Sequence, residues 1–144
     1  MMLSVVKPGE CIRLRRTVTE DDVVQFAAIT GDHAVNHVDE AYMRTTRYGN
    51  RIAHGVLVLG LSSAASTQLA DRIPALTVSA GYDRVRFPGP VRIGDTVTIE
   101  YTVESVDEAR GRVHAAVRGT TQNGVVCLVA AHVLAVLPAQ DGGR

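Results

Sequence analysis

Cysteine is scarce here. Cys11 and Cys127 are the two in 144 residues, too few for a disulfide framework and without metal-ligand spacing. Net charge is absent as well: 15 basic and 15 acidic residues cancel, so nothing points to nucleic acid or an anionic membrane surface. The asymmetry that exists is local, in Arg13, Arg15 and Arg16 and again in Arg84, Arg86 and Arg92. The longest near-continuous apolar run, Val125 to Leu137, is too short to span a bilayer and is broken by His132. No charged-then-apolar leader opens the sequence, so a reducing cytoplasm is the expected setting. There is no internal repeat and no low-complexity segment. A chain of this length can bury a sizeable core without staples. One domain is expected over residues 1–138, with residues 139–144 a frayed tail.

What is present is patterned. Cys11 to Val18 alternates apolar and polar residues and reads as a short strand. Thr19 stands three residues before Asp22, the spacing of a capping box, and Val23, Phe26, Ala27 and Thr30 follow at helical intervals up to Gly31, a stop. Asp32 thus falls just past a helix, with His37 in the loop beyond it. Asp39 is expected to cap a short helix through Ala41 to Thr46. After the turn signal Tyr48-Gly49-Asn50, the stretch from His54 to Leu69 is apolar on nearly all sides, which predicts a helix buried on nearly all sides. The rest is strand signal: Leu76 to Phe87, Thr96 to Val106 with Val97, Ile99, Tyr101 and Val103 on one face, Arg112 to Thr121, the hairpin turn Gln122-Asn123-Gly124, and Val125 to Leu137. The last is apolar enough to be a central strand covered on both faces. One long buried helix preceding most of the strands predicts an α+β fold in which a curved antiparallel sheet wraps that helix.

The stretches Gly-Asp-His-Ala-Val-Asn-His at 31–37 and Ile-Ala-His-Gly-Val-Leu at 52–57 carry the chemistry. Asp32 and His37 can converge without helical restraint, and Gly55 opens the buried helix, where backbone N–H groups are unpaired and the dipole is positive. An acid–histidine pair beside such a helix end suits proton transfer next to a carbonyl, hence addition or elimination at an activated carbonyl compound. Plain structural roles stand beside these. Asp32 could make a turn, and Gly55 could admit close packing of sheet on helix. Ser63 could bond back to a carbonyl one turn earlier. His54 could orient the glycine turn through a ring hydrogen bond. His33 reads as exposed and idle, and His114 and His132 as structural. Arg84 and Arg86, on alternate positions of a strand, share a face that is either ordinary solvated surface or a phosphate contact. No ligand cluster or dinucleotide fingerprint implies a metal or redox cofactor.

Gly31-Asp32, His37, Asp39 and Ile52-Ala53-His54-Gly55-Val56-Leu57, in that order and spacing, resemble the MaoC-like hydratases, hot-dog-fold enzymes that include (R)-specific enoyl-CoA hydratases and acyl-thioester dehydratases. Val85-Arg86-Phe87 and Pro90 to Val97 extend the likeness, which covers roughly residues 10–137. The resemblance implies that Asp32 and His37 are the catalytic pair that activates the water added to an enoyl thioester. It implies that the Gly55 N–H stabilises the thioester oxygen and that Ser63 supports the pair. It further implies a homodimer acting on an acyl thioester of coenzyme A or acyl carrier protein. The sequence departs from the family where an Asn-Pro pair is usual: Ala34 and Val35 stand there, and Asn36 replaces an aliphatic residue before the histidine. The loss removes a fixed φ angle and a side chain able to bond its own loop or substrate, a role Asn36 could partly take over. Two other readings fit the same residues: thioester hydrolysis on this fold, and a weakened acyl-thioester-binding subunit of a heterodimer.

Overall fold

The computed structural model describes residues 2–139, so most of the expected tail lies outside the described residues. A 3-10 turn at Met2–Val5 leads to β1, Cys11–Thr17. Four helices follow: α1, Glu20–Thr30; α2, Val35–Val38; α3, Glu40–Met43; and α4, Gly55–Ala70. Then come β2, Leu76–Arg86; β3, Thr96–Asp107; β4, Arg112–Thr121; and β5, Val126–Leu137.

Local chemistry sets the helix ends. Thr19 Oγ1 accepts from the Asp22 N–H at 3.1 Å while Asp22 Oδ2 accepts from the Thr19 N–H at 2.9 Å. This capping box satisfies two otherwise orphaned donors, and such caps are worth about 1 kcal/mol. Gly31 closes α1 in the left-handed conformation, φ 78°. The Asp39 carboxylate accepts from the Tyr42 N–H and so starts α3 as the sequence suggests, but α3 ends at Met43 rather than Thr46. Beyond it the Thr45 and Thr46 N–H groups turn to the Tyr42 and Met43 carbonyls, i−3 bonds that tighten the chain out of the α-helical ladder.

The five strands form one antiparallel sheet in the order β1-β3-β4-β5-β2. Val97, Ile99, Tyr101 and Val103 of β3 are all buried, as their alternation predicts, and Val113, Ala115 and Val117 of β4 continue the same apolar layer. Strand β5 lies between β4 and β2, and of its residues only Leu137 is exposed. Helix α4 packs on β1, β3 and β5, so the molecule is the α+β hot-dog arrangement. Among the described residues no helix is long and apolar enough to cross a membrane.

Two expectations are corrected. Helix α4 is buried along Val58, Ser62, Ala65, Ser66 and Leu69, but Val56, Gly60, Ser63, Ala64 and Thr67 are exposed. One five-stranded sheet covers one side of a cylinder, so an all-round apolar pattern leaves a face outside it. On the covered side, the Ser62 and Ser66 hydroxyls donate to the Leu59 and Ser63 carbonyls at 2.6 and 2.8 Å, which is how two serines are accommodated in a core. The second correction concerns Arg84 and Arg86. The β2–β5 register shifts between Asp83 and Arg86, and Arg84 has φ 52°. This irregularity on an edge strand breaks the alternation that would have put the two arginines on one face.

Candidate active site

The site forms where the α1–α2 turn meets the segment that enters α4. An isolated bridge joins Ile52 to Arg92, and the Ala53 N–H donates to the Val91 carbonyl at 2.7 Å, pinning residues 52–54 to the segment before β3. On the other side, the Asp32 N–H donates to Thr30 Oγ1 and the Ala34 N–H to Asp32 Oδ1, both at 3.2 Å. The aspartate therefore folds its own turn, as acids after a helix commonly do. The Ala34 carbonyl is then free to accept from the His37 N–H at 2.9 Å, and a single helical turn, α2, begins. His37 accordingly sits on a one-turn helix rather than in the expected loop.

Hydrogen bonding sets the protonation pattern. A carbonyl can only accept, so His37 Nδ1, 2.7 Å from the Ile52 carbonyl, carries the ring proton. In the neutral ring its Nε2 is a lone pair, and that atom lies 4.0 Å from Asp32 Oδ2. His54 Nε2 likewise donates, to the Asp32 carbonyl at 3.0 Å, and its ring stacks on His37 with centroids 3.7 Å apart and meets Phe26 at a tilt with centroids 4.7 Å apart. His54 thus braces the Asp32 backbone and the His37 ring rather than the glycine turn. Its Nδ1 is buried with no partner among the described residues. Both imidazoles are buried, while the Asp32 side chain is 51% exposed.

The separation of 4.0 Å is too long for a direct hydrogen bond. It is right for one shared water: an oxygen about 2.8 Å from each atom would see them roughly at a right angle. Because both atoms are acceptors, that water would donate a hydrogen to each and turn its lone pairs outward. One ligand atom each from Asp32, His37 and His54 falls within 4.8 Å of the others. That grouping matches metal-binding residue types; His54 Nε2 serves the Asp32 carbonyl, which leaves its Nδ1 as the ring atom with a free lone pair. Three protein ligands of this kind are compatible with a metal, but the Asp32 oxygen and His37 Nε2 also form an open two-acceptor cleft that suits a water without one.

His37 lines a cavity of about 500 Å³, together with Asn36, Gly55, Phe87, Arg92 and Cys127 among others. Gly55 is the first residue of α4, so its N–H belongs to the free first turn at the positive end of the helix. A Cβ here would lie 2.6 Å from Phe87 Cδ2, so glycine is required for the ring to close over the helix entrance. Cys127 is part of the cavity wall, and burial pushes its thiol up to about 11, leaving it protonated and unsuited to nucleophilic work.

The other sequence-derived candidates fall differently. Asn36 lines the cavity, and its carbonyl accepts from the Ile52 N–H at 3.0 Å. Ser63 is exposed on α4 and is not part of the cavity wall; the serines that bond back along the helix are its neighbours Ser62 and Ser66. Arg84 and Arg86 are exposed and also lie outside the wall, and His33 is exposed. Sequence reasoning passed over Phe87, Arg47 and Tyr48. Of these, Phe87 had a legible signal, as a large ring directly before Pro88-Gly89-Pro90.

The MaoC like domain profile matches residues 5–125. The chain belongs to this family. Among MaoC-like relatives, the (R)-specific enoyl-CoA hydratase of Rhodospirillum rubrum is 40% identical over 98 residues, which are 68% of this chain and 66% of that protein. The 3-hydroxybutyryl-CoA dehydratase of Methylorubrum extorquens is 37% identical over 72% of this chain and 64% of its own length. The chain therefore aligns with slightly less than two thirds of each. A solved (R)-hydratase of A. caviae, described as involved in PHA biosynthesis, superposes with a TM-score of 0.85 at 27% identity, covering 93% of this chain and 99% of that one.

Proposed function

We propose that this MaoC-like chain hydrates trans-2-enoyl thioesters to (R)-3-hydroxyacyl thioesters, or runs the reverse dehydration. The observation that carries the reading is the pair of acceptors, Asp32 Oδ2 and His37 Nε2, held 4.0 Å apart, with His37 lining the cavity whose wall also includes Gly55, the first residue of α4. The names and folds of the relatives support the same class of reaction.

In the hydration direction a water donates its two hydrogens to the pair and directs a lone pair at the β-carbon. As the new C–O bond forms, the C=C electrons move through the α-carbon to the thioester oxygen, and the pair takes one proton from the water. The Gly55 N–H, at the positive helix end, stabilises that oxygen. The α-carbon then receives a proton from the pair as the carbonyl re-forms, which returns the pair to its starting charge, so atoms and charge balance with no cofactor. General acid–base groups so placed contribute about 10² to 10⁴ in rate. His54 acts by holding the Asp32 backbone and the His37 ring in register.

The working form is a homodimer in the cytoplasm. The edge strand β2, with Leu76 67% and Val78 43% exposed, offers an unpaired edge to a second copy. Light scattering on the purified protein tests this. The chemistry is tested by following loss of the conjugated enoyl absorbance of crotonyl-CoA for the wild type, Asp32→Asn and His37→Ala, with product stereochemistry read out. Turnover untouched by both substitutions, or thiol release from a saturated acyl-CoA in place of hydration, would overturn the assignment.

A further inference from the structure

Among the described residues, Arg15, Arg84, Arg86, Arg112 and Arg118 have no carboxylate partner and lie outside the cavity wall, whereas two other unpaired arginines lie in it. Arg13, Arg16, Arg44, Arg51, Arg72 and Arg110 each lie within 4.0 Å of a carboxylate. Among the described residues, neither Arg47 nor Arg92 has such a partner, and both line the cavity that holds His37 and Gly55. They are also held in place. Arg92 Nε donates to the Tyr48 carbonyl at 3.1 Å. Arg47 Nη2 donates to the Tyr48 hydroxyl at 3.0 Å, with its guanidinium carbon 5.0 Å from the centroid of the same ring. One residue, Tyr48, thus anchors two unneutralised cations on a single cavity wall, its backbone gripping one and its ring the other.

An arginine pair fixed this way, with each guanidinium using one of its five N–H donors in these bonds, suits a phosphate: the fork is rigid, permanently charged and little entropy is lost on binding. We infer that Arg47 and Arg92 hold the phosphate end of the carrier arm of the thioester substrate. This rests on the thioester reading above and deepens it. It also moves the phosphate contact from Arg84 and Arg86, which lie outside the cavity wall, to two arginines that share the wall with His37 and Gly55.

The test compares kcat/KM for crotonyl-CoA with kcat/KM for crotonyl-pantetheine, which has the same reacting end and no phosphate, in wild type, Arg47→Ala and Arg92→Ala. Each substitution is expected to lower the ratio of the two about tenfold or more, the scale of one charge-assisted hydrogen bond, through KM rather than kcat. Raising the salt concentration should compress the wild-type ratio in the same direction. Arg92→Ala also removes a bond to the Tyr48 backbone, so Arg47→Ala, which leaves the main chain untouched, and Arg92→Lys, which keeps the charge and should recover part of the ratio, guard against misfolding. A third arm uses a crotonyl-loaded carrier protein: loss there as well places the contact on the phosphate both carriers share, and loss with crotonyl-CoA alone places it on the nucleotide phosphates. A ratio unchanged by both alanine variants, or equal losses on the charged and uncharged thioesters, overturns the inference. Failure of the wild type to turn over any of the three would instead sink the thioester reading on which it rests.

Discussion

Two histidine clusters in this molecule look alike in composition and differ in what they leave free. In the first, His37 donates from Nδ1 to the Ile52 carbonyl, and its Nε2 faces Asp32 across 4.0 Å at the edge of a cavity. In the second, His132 is fully buried, with Tyr101 Oη 2.7 Å from Nδ1 and Ser79 Oγ 2.7 Å from Nε2. Both rings are held by short bonds and both pack against other rings, His37 stacked on His54 and His132 tilted against Tyr82. The difference is one nitrogen. A ring whose two nitrogens are both satisfied inside a core fixes structure, whereas a ring held by one nitrogen can use the other on a ligand.

The largest expected effect breaks the first cluster. His37→Ala should lower kcat/KM for crotonyl-CoA by about 10³-fold while far-UV circular dichroism is unchanged. Preserved activity would put the two clusters in the same structural class. Next is Gly55→Ala. Its new Cβ meets the Phe87 ring at 2.6 Å, so overpacking should cost about 1–3 kcal/mol of stability in a urea titration together with much of the activity. Adding Phe87→Ala should restore part of the stability.

His132→Gln should do the reverse of His37→Ala: about 1–3 kcal/mol of stability lost from a buried network, with kcat within a few-fold of wild type. It carries a pH signature as well. Burial lowers the His132 pKa below its ordinary 6.5, so the unfolded chain binds a proton there before the native one does. The stability from keeping the ring neutral is complete above about pH 6.5 and is lost as the pH falls from there through the folded-state pKa. Urea midpoints at about pH 7.5 and 5.5 should therefore converge between wild type and His132→Gln at the lower pH, and a constant gap would contradict a neutral buried ring. The smallest effect belongs to His33→Ala. His33 is exposed beside the same turn, and its loss should leave kcat/KM within about twofold, as surface substitutions usually do.

Much of the fold was legible because it rests on local rules. The capping box at Thr19 and Asp22, the Gly31 stop, the alternation along β3 and the Gln122–Gly124 turn are short-range chemistry that the chain spells out. The exposed face of α4 was not legible, since an apolar pattern does not say how many sides one sheet can cover. Nor was the bulge at Arg84, where edge-strand pairing overrides alternation. At the site, residue types and spacing pointed to Asp32, His37 and Gly55. They could not show that His54 would turn its ring to the Asp32 carbonyl, or that Phe87, distant in sequence, would close over Gly55. Those are tertiary contacts, made only when the segment entering α4 is pinned to residues 91–92.

The central claim is that one water is shared by Asp32 and His37, and a double-mutant cycle tests it most directly. Crotonyl-CoA hydration should be measured for Asp32→Asn, His37→Gln and the combination. If both groups grip the same water, removing the second after the first costs little more, so the double variant should be about as slow as the slower single variant. Losses that multiply in full would mean that the two side chains act on separate atoms, and the shared-water geometry would be wrong.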